Sequence, residues 1–200
     1  MMTLLLDQLV IVDLEATCWR GPPPDGQRIE IIEIGVSALD LTSFEITARD
    51  SVLIKPATSE ISAFCTELTH ITPEMAAGGM GLAEGCAWLS ERFCSAERMW
   101  GSWGSFDRKL FEAQCTADAV PYPFGTHHAN LKRVYARLTK RKQGVGLRSA
   151  LEHLALPFDG THHRGGDDAY NTARIVQILC QTYGLAALFL TLPKKDRPVL

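Results

Sequence analysis

The 200-residue sequence predicts an α/β fold: a mixed β-sheet, an antiparallel meander plus parallel strands, flanked by helices. Two observations predict it. Residues 9–56 hold three runs rich in β-branched and apolar residues, joined by short loops, which is the pattern of a meander. Beyond them helical periodicity alternates with a further short strand, so the sheet continues through crossovers and gains helical layers. With 46% hydrophobic and 22% charged residues the chain has globular composition, and its length suffices to bury one core without staples. No repeat or low-complexity linker divides it, so residues 1–200 are expected to form a single domain.

Each element has a local signal. Residues 9–17 (LVIVDLEAT) are apolar and β-branched, a buried strand. Residues 19–26 cluster proline and glycine and can only be a loop. Residues 29–36 give a second strand, 39–43 a turn, and 44–56 a third strand that ends at Pro56. Within 74–94 the run Gly78-Gly79-Met80-Gly81 breaks the pattern, and Leu82, Cys86, Leu89 and Phe93 then recur at helical spacing. A short strand is expected over 98–103. Helices are expected over 107–115, 130–139, 147–154 and 168–183, and Pro157 stops the third of them.

The charge balance is 20 Lys plus Arg against 23 Asp plus Glu, a net −3. That excludes a coat of positive charge, so any nucleic-acid contact must use a local basic patch. The six cysteines, at 18, 65, 86, 94, 115 and 180, form no CxxC pair. They read as small buried hydrophobes in a reducing, cytoplasmic setting, not as zinc ligands or redox pairs. The N-terminus lacks a basic segment and a cleavage site, and the apolar run 185–192 is too short to span a bilayer, so no membrane association is expected. Because the first strand begins close to residue 1, any targeting domain is expected on a separate polypeptide.

Three places can carry chemistry. Asp13 and Glu15 end the first strand. Residues i and i+2 of a strand share a face about 6.5 Å apart, so both carboxylates converge there. Two like charges at the end of an apolar strand call for a cation between them, and carboxylate oxygens suit Mg²⁺ or Mn²⁺. Alternatively the strand has reached solvent and both acids are hydrated. Asp107 opens a helix after the fourth strand, where an ordinary first-turn acid is equally at home. The run Thr161-His-His-Arg-Gly-Gly-Asp-Asp168 sets two imidazoles and two acids on a glycine-rich turn at a helix start. The acids complement the helix dipole there, while histidine is the side chain suited to proton exchange near neutrality.

In order along the chain stand Asp13-Leu-Glu-Ala-Thr-Cys18, Glu30-Ile-Ile-Glu-Ile-Gly35, Phe64-Cys-Thr-Glu-Leu-Thr-His-Ile-Thr72, Gly104-Ser-Phe-Asp107 and His163-Arg-Gly-Gly-Asp-Asp-Ala-Tyr-Asn-Thr-Ala-Arg-Ile175. Together they resemble the DEDDh branch of the DnaQ-like 3′–5′ exonucleases, and within it the Eri-type and KapD-like enzymes. The resemblance covers roughly residues 8–183, the expected core, leaving a C-terminal helix and tail over 184–200. His70 stands where the family often has glycine, and the loop containing Pro22–Pro24 varies freely.

The resemblance implies a ribonuclease H-like fold and two divalent ions, Mg²⁺ or Mn²⁺, held by Asp13, Glu15, Asp107 and Asp168, with His163 as general base. His-x4-Asp spacing occurs twice, at His162/Asp167 and His163/Asp168. The family's small residue and asparagine after the last acid match Ala169 and Asn171, which selects His163. The sister branch places tyrosine where this chain has Arg164. Paired ions 3.5–4 Å apart clamp the attacking and leaving oxygens of an in-line displacement, and the implied product is a nucleoside 5′-monophosphate. By the same resemblance Phe64 and Phe106 would pack around the terminal base, unless they are core residues, and Thr17 would contact the terminal sugar or phosphate through its backbone.

Residues 131–148 carry seven cations and no acid, +7 against −10 for the rest of the chain. Such a run is usually a solvated face. Beside a phosphate-cutting site it would track a substrate backbone, with Lys140, Arg141 and Lys142 as candidate contacts. The expected activity is therefore exonucleolytic, on single-stranded 3′ ends, RNA favoured over DNA. A DNA proofreading or repair exonuclease, a non-cleaving nucleic-acid-binding module and a phosphoesterase for small molecules are the alternatives. No protein partner is legible.

Overall fold

The structure, a computed structural model, describes residues 4–198. Five strands form one sheet in the order β3-β2-β1-β4-β5. The strands are β1 (Leu5–Ala16), β2 (Ile31–Asp40), β3 (Ile46–Leu53), β4 (Arg98–Ser102) and β5 (His128–Asn130). β1, β2 and β3 pair antiparallel, while β4 runs parallel to β1 and β5 parallel to β4. The expected mixed sheet is present.

β1 begins four residues before the expected run. Its first turn of sequence, Leu5 to Gln8, alternates between exposed and half-buried positions and lacks the continuous apolar signal. Arg98 holds it down with a fork onto the Asp7 carboxylate, at 2.9 and 2.5 Å. β2 runs through Leu39 and Asp40, which the sequence assigns to a turn. The turn comes just after, where Asp40 Oδ1 accepts from the amides of Thr42 and Ser43.

The helices are α1 (Ala63–Thr69), α2 (Pro73–Ala77), α3 (Leu82–Phe93), α4 (Phe106–Ala117), α5 (Leu131–Leu138), α6 (Leu147–His153), α7 (Gly165–Tyr183) and α8 (Leu185–Thr191). α1 and β5 have no counterpart in the sequence expectations. α1 is one of the shortest helices, and β5 is three residues paired only on one side. His70 caps α1 at φ +60°, a left-handed position that glycine adopts without strain.

Residues of β1 divide between the two faces of the sheet. Leu9 and Ile11 join α5, α6, α7 and α8 in one core, while Val10, Val12 and Leu14 join α3 and α4 in the other. The strand's period of two then continues the first face into Asp13 and Glu15. All six cysteines are free thiols. Among the described residues no single helix is long and apolar enough to cross a membrane.

Candidate active site

The first helical layer reaches the acids through a close approach of two backbones. Asp13 is registered opposite Gly35, and Glu15 opposite Glu33. The first residue of α7, Gly165, lies against Gly35 so closely that a Cβ at Gly35 would fall 1.8 Å from the Gly165 carbonyl carbon. Only glycine fits at Gly35. The contact seats α7 directly over the ends of β1 and β2. Glu33 fixes the angle: it is 1% exposed, accepts from the Gly165 amide at 2.9 Å, and takes a two-pronged bond from Arg164 at 3.0 and 3.1 Å.

Asp168, one turn into α7, is thereby brought to the β1 acids. One oxygen from each of Asp13, Glu15 and Asp168 lies within 4.8 Å of the others. Asp107 arrives from the opposite face, on the first turn of α4, and accepts from the Leu14 amide at 3.1 Å. Glu15, Asp107 and Asp168 are buried and Asp13 is half-buried. They line one pocket of about 400 Å³ with His162 and His163.

Burial, reinforced at Asp13 and Glu15 by neighbouring like charges, dominates the electrostatics. Loss of hydration, and then the charges of Asp168, Glu33 and Asp107, push Glu15 up to about 8. Enclosure, reinforced by Asp107, Asp168 and Glu15, raises Asp13 well above the usual carboxylate range. Burial raises Asp107 and Asp168 as well, against hydrogen bonds that favour their charged forms. A hard cation is the group that would let these acids ionise together, and an all-oxygen donor set suits Mg²⁺, Mn²⁺ or Ca²⁺ better than zinc. Glu30, also deeply buried, behaves oppositely. Burial raises it, but bonds from Thr58 and Ser59 outweigh that and hold it at about 2. It ties down residues 57–59 and takes no part in the pocket.

Both imidazoles face the pocket, their rings stacked with centroids 4.0 Å apart. His162 Nδ1 lies 2.8 Å from Asp168 Oδ1, and the His163 amide donates to Asp168 Oδ2 at 2.8 Å. Asp168 thus organises both residues. Burial, followed by neighbouring His162, lowers the His163 pKa, so its ring is neutral at pH 7.

Phe106 lines the pocket and is 55% exposed. The sequence also expects Phe64 beside the terminal base. Instead Phe64 lies outside the pocket lining, with the Arg20 guanidinium over its ring at 4.8 Å. Leu68, on the same face but about one turn (~6 Å) further along α1, takes the pocket position, next to Thr69. Thr17 does line the pocket, but its amide donates to the Glu30 carbonyl and its hydroxyl bridges Arg28 and Glu30. Lys140, Arg141 and Lys142 are exposed on the link between α5 and α6 and do not line the pocket. Sequence reasoning missed Ile29, Leu68, Trp103 and Leu147, the apolar walls, and the Glu33–Arg164 clamp. Only Glu33 left a signal, as a charge inside an otherwise apolar strand.

A family model described as "Exonuclease" matches residues 10–176. The chain belongs to the exonuclease family. Among curated relatives of the chain, the rat 3′-5′ exoribonuclease 1 is 30% identical over 187 residues, covering 88% of this chain and 53% of the relative. The Drosophila melanogaster 3′-5′ exonuclease Snipper is 28% identical and covers 90% and 71%. The chain thus spans about half the length of several curated relatives it matches. Among solved structures, the nuclease domain of 3′hExo, a DEDDh family member bound to rAMP, superposes with a TM-score of 0.77 at 29% identity, covering 88% of this chain and 93% of that one. A 3′-exonuclease structure described as recognising the 3′ end of histone mRNA stem-loop gives 0.80 at 27% identity, covering 91% and 66%. The ribonuclease H-like architecture and the DEDDh resemblance expected from sequence are both borne out.

Proposed function

We propose that this exonuclease-family chain removes nucleotides one at a time from single-stranded 3′ ends, RNA favoured, and releases nucleoside 5′-monophosphates. The observation that carries it is the convergence of Asp13, Glu15, Asp107 and Asp168 with His163 in one pocket. Relatives described as exoribonucleases, and a neighbour bound to rAMP, support RNA over DNA.

Asp13, Glu15 and Asp168 would hold one divalent ion, with Asp13 shared to a second and Asp107 completing the set. Bound Mg²⁺ or Mn²⁺ would neutralise the carboxylates and stabilise charge on the transferred phosphoryl group. The chain supplies the rest. His163, neutral at pH 7, takes the proton of the attacking water. Asp168 orients that loop through the His163 amide and the His162 ring. Phe106, Leu68, Ile29 and Trp103 offer apolar surface on which a terminal base stacks without regard to sequence. Thr17, whose amide and hydroxyl are engaged, would present its carbonyl to the terminal sugar. Lys140, Arg141 and Lys142 would meet the substrate backbone further out.

The test is a 5′-labelled single-stranded RNA and a DNA of the same sequence, each incubated with Mg²⁺ or Mn²⁺. A ladder that shortens from the 3′ end, faster on RNA, is the expected result. Faster shortening of DNA would select the DNA exonuclease. No shortening with either ion, or unchanged activity in Asp13→Ala, would refute the proposal.

A further inference from the structure

A second cavity, of about 310 Å³, opens beside the edge strand β5, between α4 and α5. Arg108 and Lys109 enter it from α4, Arg133 and Arg137 from α5, and only two acids, Glu112 and Asp196, face them. Arg108 is held by Glu112 at 2.8 Å, and Arg137 by the Thr191 carbonyl. Lys109 and Arg133 have no ion-pair partner among the described residues. Their placement gains the helices nothing. Lys109 stands near the start of α4, and Arg133 in the first turn of α5, which contains no acid. The helix macrodipole disfavours cations at both places. An anion in the cavity would account for them.

The cavity is continuous in sequence with the acid pocket. Ser105 lines the cavity, and the next two residues, Phe106 and Asp107, line the pocket. The start of α4 therefore borders both hollows, with Phe106 and Asp107 toward the acids and Ser105, Arg108 and Lys109 toward the cations. The exposed cluster Lys140–Lys142, by contrast, lines neither hollow.

We propose that this groove is a second nucleic-acid site, in which Lys109 and Arg133 contact phosphates of the substrate strand 5′ of the nucleotide held at the acids. It rests on the exonuclease reading and adds the path of the strand. Each phosphate neutralised releases counterions, so the site has a salt signature of about −0.7 in log affinity against log salt per single-strand contact.

The experiment uses the full chain, a 20-nucleotide single-stranded RNA, and the p-nitrophenyl ester of a nucleoside 5′-monophosphate, which is small enough to occupy the acid pocket alone. The double variant Lys109→Glu/Arg133→Glu should raise KM for the 20-mer by about tenfold or more relative to KM for the ester. It should also lower the salt slope by about 1.4, two contacts' worth. Lys109→Gln/Arg133→Gln, which adds no negative charge, should show the same selectivity at smaller size, and thermal melting checks that both variants fold. Equilibrium binding of the labelled 20-mer in an Asp13→Asn background reads the groove without turnover. Absence of ester hydrolysis in the wild type would strike the catalytic reading while leaving that binding measurement to decide the groove. An unchanged 20-mer KM and salt slope, a larger loss in Lys140→Glu/Arg141→Glu/Lys142→Glu, or no binding of the 20-mer by the parent would overturn the proposal.

Discussion

Asp13 and Glu15 stand on the central strand of the sheet, in register with β2, whereas His162 and His163 stand on residues 154–164, a connection with no ladder of its own. The acids inherit their positions from backbone register and from the Gly35–Gly165 contact. The histidines are held by side chains that reach in from elsewhere. Arg49 of β3 bonds Asp159 at 2.8 Å and Asp167 at 2.6 Å, and Asp167 in turn accepts from the Thr161 amide at 2.7 Å. Asn171 bonds Asp159 through both its amide oxygen and its amide nitrogen, and Arg174 holds the Pro157 carbonyl. Phe158 meets the His162 ring edge-on, under the Arg148 guanidinium. One half of the site is thus part of the sheet, and the other is tied to it by replaceable polar bonds.

The difference can be broken at several points. Asp13→Asn removes a donor from the rigid half, and it should cut the rate of 3′ shortening by about 10³-fold, measured as kcat/KM. His163→Ala should cost about 10²–10⁴-fold in kcat, the range for a general base. His162→Ala should cost about 10–100-fold, as loss of a contact that orients Asp168; the reverse order would make His162 the base. Gly35→Ala attacks the joint between the halves. It should destabilise the fold by at least about 1–3 kcal/mol, seen as a lower denaturant midpoint, because backbone must move to admit the methyl group.

Arg49→Ala should act only on the tied half. A kcat loss of about tenfold is expected with little change in melting temperature, and Arg49→Lys should recover part of it. Equal loss of activity in both variants would show that the loop keeps its shape without Arg49's fork. The last test concerns pH. Glu15 titrates near 8 in the folded chain and near 4.5 when unfolded, so between these values the folded state holds a proton that the unfolded state has lost. Stability of the metal-free chain should therefore fall as pH rises through that window, and Asp13, raised in the same direction, adds to the slope. Mg²⁺ or Mn²⁺ should flatten the slope of melting temperature between pH 5 and 8. An unchanged slope would argue against a metal at these acids.

How much of this was legible depends on how local the cause is. The period of two along β1 places Asp13 and Glu15 on one face whatever the rest of the chain does, and the GSFD and HRGGDD runs mark where α4 and α7 begin. Phe64 is a less local case. A motif names a residue, but where α1 sits along its axis decides that Leu68 lines the pocket while the Phe64 ring lies under Arg20. Glu30 and Glu33 look alike in sequence, three residues apart, one just before β2 and one inside it. Yet one fastens residues 57–59 and the other fastens α7, because their side chains meet different long-range partners.

The basic segment shows the same division. Its charge was plain from sequence, but α5 turns Arg133 and Arg137 into a groove shared with Arg108 and Lys109, and leaves Lys140–Lys142 on the surface link. The sequence by itself determined four of the five strands, the one among them that carries two acids, and the family. Those follow from backbone periodicity and short runs of residues, which need no neighbours. The tertiary structure alone decided which glycine must stay a glycine, what braces the histidine loop, and where the cations converge. Each of those is a contact between residues far apart in the chain, and its energy exists only once the layers have packed.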